Sequence, residues 1–268
     1  MGLSGLLGRA FRRLEERAEL RSSLLVWLAV GLSASLGFSL AVAWVHGAGL
    51  LVAALLTLGW WAVVALVMVG GAALLVDSGG QPVNRYGVPN GLSALRAWLC
   101  LPLLLCAAWP LPHRLGLILW VSVGGSVGML DAVDGWYARR WGPLTELGKA
   151  IDPAMDALYF SVAALSFLLL GIVTWWLATL IVVRYLAPLL LTPIVFLLRR
   201  RPELVRTNWG KRNTVLTGLV LTVCMLVDVA GGPVPLTNAV VGLPLLVPTA
   251  LLHFRALGQR VAASPVAR

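Results

Sequence analysis

Long uncharged runs separated by short polar breaks make up most of this chain. Residues 24–45 and 47–76 contain no charged side chain, and each is longer than the about 20 apolar residues that carry a helix across a bilayer. The pattern predicts eight such spans, over 24–45, 49–76, 92–110, 115–132, 152–172, 175–198, 213–230 and 236–254. Within them the apolar residues are continuous rather than alternating, which favours helices over the strands of a barrel. Residues 1–22 follow a different pattern. Leu3, Leu7, Phe11, Leu14 and Ala18 recur at helical spacing with Arg and Glu between them. This predicts an amphipathic helix lying on the membrane surface, and it is too charged for a cleaved signal.

Charge sharpens this picture. The net charge is +10, with 59% of residues hydrophobic and only 12% charged. In a soluble protein such a balance suggests nucleic acid. Here the tendency of basic residues to stay in the cytoplasm accounts for it, and no nucleic-acid partner is expected. With the N-terminus inside, 19 of the 21 basic residues fall on the cytoplasmic side, including Arg9, Arg85, Arg139, Lys149, the run Arg199–Arg201, Lys211 and Arg268. Arg114 lies on the far side and Arg184 within a span. Eight spans with both termini inside follow. Trp44, Trp109, Trp175 and Trp176 fall near the outer ends, as an aromatic belt would. Cys100, Cys106 and Cys224 lie in apolar runs without disulfide or metal spacing. His46, His113 and His253 have no partner pattern and read as interfacial. Lys149 and Lys211 are the only lysines, a bias towards Arg that points to a GC-rich bacterial genome and hence to the inner membrane of a bacterium.

The acidic residues are where chemistry is expected. Of eleven in the chain, five fall between 131 and 156. Asp131 and Asp134 are three apart and share a face at the inner end of the fourth span. Asp152 and Asp156 are four apart and share a face at the inner start of the fifth. The 17 residues between them return the chain to the same leaflet, so the four carboxylates are expected to converge just inside the membrane. A charge at mid-bilayer costs roughly 2.5–3.5 kcal/mol on the mildest scale, and like charges repel unless a cation holds them. An all-oxygen cluster suits a hard ion such as Mg²⁺, Mn²⁺ or Ca²⁺. Four carboxylates can bridge two ions, the arrangement that clamps a phosphoryl group in displacement.

The run Asp131-x-x-Asp134-Gly135-x-x-Ala138-Arg139, then eight residues, then Gly148-x-x-x-Asp152-x-x-x-Asp156, resembles the signature of the CDP-alcohol phosphotransferases at every defining position. The resemblance covers about residues 88–256. It implies an all-α integral membrane fold with a six-helix core over 92–256. Before the core stand an amphipathic helix at 1–22, two accessory spans over 23–76 and a linker at 77–91. A tail at 257–268 follows it. It implies displacement on a CDP-linked substrate, in which an acceptor hydroxyl attacks the β-phosphorus and CMP leaves. By this resemblance Asp131, Asp134, Asp152 and Asp156 hold Mg²⁺ or Mn²⁺, two ions in all. Asp156 is also the general base, and Gly135, Ala138, Arg139 and Gly148 line the nucleotide site. The residue types agree: small residues at 135, 138 and 148 allow close approach, and Arg139 can fork onto a phosphate.

"VPNGLSALRAWL", residues 88–99, resembles the family's opening motif and places Asn90 and Ser93 beside the nucleotide, with Arg96 just inside the third span. Arg184 sits where phosphatidylglycerophosphate synthases carry an Arg-Glu pair, with Tyr185 in place of the Glu. Gly210-Lys211-x-x-Thr214 resembles the start of the seventh span in the same enzymes, and Lys-x-Asn-Thr also resembles one type of cardiolipin synthase. Arg184, Lys211 and Thr214 are therefore expected to bind an acceptor phosphate. Ala157 departs from the lysine that follows the fourth aspartate in many glycerophosphate-using members.

The expected partners are CDP-diacylglycerol, a polar alcohol, the lipid bilayer and a second copy of the chain in a homodimer. Glycerol 3-phosphate is the first acceptor reading; phosphatidylglycerol (cardiolipin synthesis) and an inositol phosphate are the alternatives. A transporter using the aspartates and Arg184 as an ion path is the rival from another class, but no inverted repeat is visible and the carboxylates cluster at one face.

Overall fold

A computed structural model describes residues 3–77, 79–109, 111–142, 145–197 and 207–263. The expected basic residues Arg199, Arg200, Arg201, Arg206 and Arg268 lie outside these, as do the side chains of Arg139 and His113. Helices dominate: α1 (Leu3–Glu16), α2 (Ala18–His46), α3 (Leu50–Gly71), α4 (Gly87–Ala108), α5 (His113–Trp141), α6 (Glu146–Leu169), α7 (Trp175–Leu197), α8 (Asn208–Val229), α9 (Val234–Thr237) and α10 (Leu243–Ala263). A single π turn, Asn238–Gly242, joins α9 and α10 into one span, Val234–Ala263. Among the described residues eight helices are long and apolar enough to cross a membrane.

The helices run past the apolar limits set by hydropathy. α4 begins at Gly87 rather than 92, α5 continues to Trp141 rather than 132, and α6 begins at Glu146 rather than 152. A hydropathy limit falls at the first charged residue, whereas a helix ends only where its hydrogen bonds end. The acidic motif is therefore helical almost throughout. Residues 18–22, grouped with the surface helix by sequence, form the first turn of α2.

The chain forms two compact units, Met1–Val162 and Ala163–Arg268. In the first, α2, α3 and α4 pack through tryptophans. Trp98 of α4 is fully buried, and a Cβ at Gly31 of α2 would enter its ring. The relation is reciprocal, because a Cβ at Gly91 of α4 would enter the ring of Trp27. The indoles are satisfied on backbone carbonyls: Trp60 Nε1 donates to Ala97 O at 2.8 Å, Trp61 Nε1 to Leu28 O at 3.0 Å and Trp98 Nε1 to Trp61 O at 3.2 Å. The two spans that carry no polar motif are thus keyed onto the helix that opens the motif-bearing segment.

α1 docks on the end of α3. Ala10 is buried, and Arg13 donates to Ala72 O and Leu75 O, each at 2.9 Å. The same two carbonyls also accept backbone bonds, Ala72 O from Leu75 N at 3.4 Å and Leu75 O from Val83 N at 2.8 Å. Leu7 and Phe11 remain exposed on the same helix. Tyr86, also fully buried, donates its hydroxyl to Met68 O. Burial raises the pKa of the Tyr86 phenol above its ordinary value and the Arg13 guanidinium opposes this, so the ring stays neutral and donating.

In the second unit, Gly242 fits against Leu177 of α7. Buried Asn238 accepts from Thr174 N at 3.0 Å and donates to Val234 O at 2.8 Å. These bonds hold the π turn in place.

Candidate active site

The acidic motif lies in the first unit, on the end of α5 and the start of α6. Thr145 stands immediately before α6. Its hydroxyl accepts from Gly148 N at 3.1 Å, capping α6, and donates to Asn90 Oδ1 at 3.2 Å. Asn90 Nδ2 in turn donates to Tyr86 O at 2.7 Å. From the other side, Glu146 N donates to Val76 O at 3.0 Å, so the linker before α4 also holds the first turn of α6. Gly87 at the head of α4 has φ 68, a left-handed conformation that favours glycine. A Cβ at Gly148 would stand 3.3 Å from Asn90 Oδ1, so the glycine allows the close approach of α6 to α4.

α4 supplies the polar partners of the carboxylates. Ser93 Oγ lies 3.0 Å from Asp134 Oδ2 and 3.1 Å from Pro89 O. One turn further on, Arg96 is 3% exposed. Its Nη1 is 2.7 Å from Asp131 Oδ1 and its Nη2 is 3.6 Å from Asp156 Oδ1. The Arg96 Cζ lies 5.7 Å from the centroid of the Tyr159 ring, whose hydroxyl donates to Gly124 O at 2.9 Å. Asp134 is buried, Asp156 mostly buried, and Asp152 exposed. Gly135 and Ala138 follow Asp134 along α5. A cavity of about 560 Å³ is bordered by Ser22, Trp27, Arg85, Asn90, Tyr137 and Thr145.

The donor set fits a hard divalent cation in chemistry, since all four expected ligands are carboxylates. In the arrangement described, however, no three His, Cys, Asp or Glu side chains among the described residues come together as a metal site. The Arg96 guanidinium stands between Asp131 and Asp156 and supplies the positive charge. Sequence reasoning placed Arg96 just inside the span but missed this bridge. Its spacing offered a signal: Arg96 is three residues after Ser93, on the same face of α4.

The expected acceptor residues lie in the second unit. Arg184 is buried, and its Nη2 donates to Gly210 O at 3.3 Å. Thr214 Oγ1 donates to the same carbonyl at 3.1 Å, so these two meet at Gly210. Lys211 is exposed. The interfacial reading of His253 is corrected. The residue is buried, and its Nδ1 is 2.7 Å from Thr207 Oγ1, the side chain that caps α8 through Gly210 N. A partner 46 residues away leaves no periodic trace in sequence. A Cβ at Gly210 would lie 3.0 Å from the His253 ring, which gives that glycine its structural reason.

An all-helical, multi-pass membrane protein with an acidic motif at the junction of two helices is the class that fold and site define. The chain belongs to the CDP-alcohol phosphatidyltransferase family, whose model matches residues 86–250. It is 28% identical over 98 residues to a probable phosphatidylglycerophosphate synthase of Mycobacterium tuberculosis, covering 37% of this chain and 45% of that protein. It is 31% identical over 106 residues to the CDP-diacylglycerol–glycerol-3-phosphate 3-phosphatidyltransferase of Bacillus subtilis, covering 39% and 51%. The chain thus spans about half the length of the curated relatives it matches. No solved structure matches it.

Proposed function

We propose that the chain transfers a phosphatidyl group from CDP-diacylglycerol to an alcohol, with glycerol 3-phosphate as acceptor and CMP as leaving group. The observation that carries this reading is the intact acidic motif at the junction of α5 and α6, backed by Ser93 and Arg96 of α4. The family and the names of the two relatives support the same chemistry.

In this reading Asp156 accepts the proton of the acceptor hydroxyl as its oxygen attacks the β-phosphorus, and the bond from that phosphorus to CMP breaks. Asp131, Asp134, Asp152 and Asp156 would hold Mg²⁺ or Mn²⁺, two ions in all. When bound, such a pair supplies the charge that neutralises the diphosphate and the departing CMP. Asn90, Ser93, Gly135, Ala138, Arg139 and Gly148 border the nucleotide, with the cavity beside Asn90 as room for it. Arg184, Lys211 and Thr214 bind the acceptor phosphate. Residues 92–256 act as the working core and 1–76 as an accessory module. The protein works as a homodimer in a bacterial inner membrane, its carboxylate face towards the cytoplasm.

The test is CMP release by the purified protein with CDP-diacylglycerol and Mn²⁺. The acceptors are glycerol 3-phosphate, phosphatidylglycerol and an inositol phosphate, with Asp156→Asn as control. Release with glycerol 3-phosphate alone, lost in the variant, is the expected result. Release with another acceptor keeps the mechanism and discards the acceptor. No release with any of them discards the transferase reading.

A further inference from the structure

We propose that Arg96 is a resident cation of the carboxylate cluster, and that a divalent ion binds there only by displacing its guanidinium from Asp131 and Asp156. The inference rests on the metal-dependent reading above. A buried guanidinium needs counter-charge, and carboxylates gathered at a membrane helix junction repel one another. Arg96 meets both needs at once. It is 3% exposed, lies 2.7 Å from Asp131 and 3.6 Å from Asp156, and so ties α5 to α6 through α4.

A metal ion and the guanidinium compete for the same oxygens. Asp131 and Asp156 cannot give their lone pairs fully to an ion while they accept from Arg96, and two cations at that distance repel. Arg96 also has a second partner at hand. The Tyr159 ring lies 5.7 Å from its Cζ, a separation at which an aromatic face attracts a guanidinium. The side chain that leaves the carboxylates therefore need not enter the apolar interior uncompensated.

Displacement makes a prediction opposite in sign to a positioning role. If Arg96 preorganised the carboxylates for metal, removing it would weaken metal binding. If it competes with metal, removing it strengthens binding. The experiment uses the full chain in detergent, stripped with EDTA and titrated with Mn²⁺, with free Mn²⁺ read by electron paramagnetic resonance. Arg96→Gln is expected to bind Mn²⁺ about tenfold more tightly than the unaltered protein, a change equal to about 1.4 kcal/mol. Arg96→Lys, which keeps the charge but not the fork, is expected between them. Asp131→Asn should weaken binding in either background. In EDTA, Arg96→Gln should also melt below the unaltered protein and gain more from saturating Mn²⁺. Equal or weaker Mn²⁺ binding by Arg96→Gln overturns the proposal while leaving the metal reading in place. Mn²⁺ binding by neither protein overturns both. Should Arg96→Gln fail to fold, Arg96→Lys decides: tighter binding supports displacement, and equal or weaker binding rejects it.

Discussion

The Thr145 hydroxyl donates to Asn90 Oδ1 at 3.2 Å while accepting from Gly148 N at 3.1 Å. One side chain thus caps α6 and ties it to the head of α4. Thr145→Val keeps the shape and removes both bonds. It should cost about 1 kcal/mol as a lost cap, with a further loss from the unpaired Asn90 oxygen. Thr145→Ser should retain most of the stability. Thermal unfolding of both variants checks this, and CMP release should fall in the valine variant more than unfolding alone explains.

The reciprocal packing of Gly31 on Trp98 and Gly91 on Trp27 leaves no space for a side chain at either glycine. Gly31→Val or Gly91→Val should each destabilise the first unit by about 1–3 kcal/mol through overpacking. Pairing Gly31→Val with Trp98→Leu should recover part of the loss, since the two sites share one contact. Equal melting of Gly31→Val and the unaltered protein would rule the interlock out.

Gly210 faces the His253 ring at 3.0 Å from where a Cβ would stand. Gly210→Ala should cost stability by displacing the ring from Thr207 and weakening the cap of α8. A double-mutant cycle with His253→Ala should show a coupling of about 0.5–3 kcal/mol. Additive effects would separate the two residues.

Arg184 and Thr214 share the carbonyl of Gly210. If they bind the acceptor phosphate, Arg184→Ala should raise the acceptor KM roughly 10-fold or more, the worth of a charge-assisted hydrogen bond. The KM for CDP-diacylglycerol should change much less. An equal rise in both would move Arg184 to the nucleotide side.

The sequence by itself determined the membrane class, the eight spans and the positions of the acidic motif. Each of these rests on local composition or helical spacing: an uncharged run long enough to cross a bilayer, or residues three and four apart on one face. What only the tertiary structure decided rests on contacts between residues far apart in the chain. Arg96 reaches Asp131 and Asp156 across 35 and 60 positions, and His253 reaches Thr207 across 46. Trp98 finds its space at Gly31, which looked like any glycine in an apolar run. Helix ends also escaped the sequence, because charge marks where the lipid stops and hydrogen bonding marks where the helix stops. A guanidinium between two carboxylates is a matter of three helices meeting, and no single stretch of chain records that.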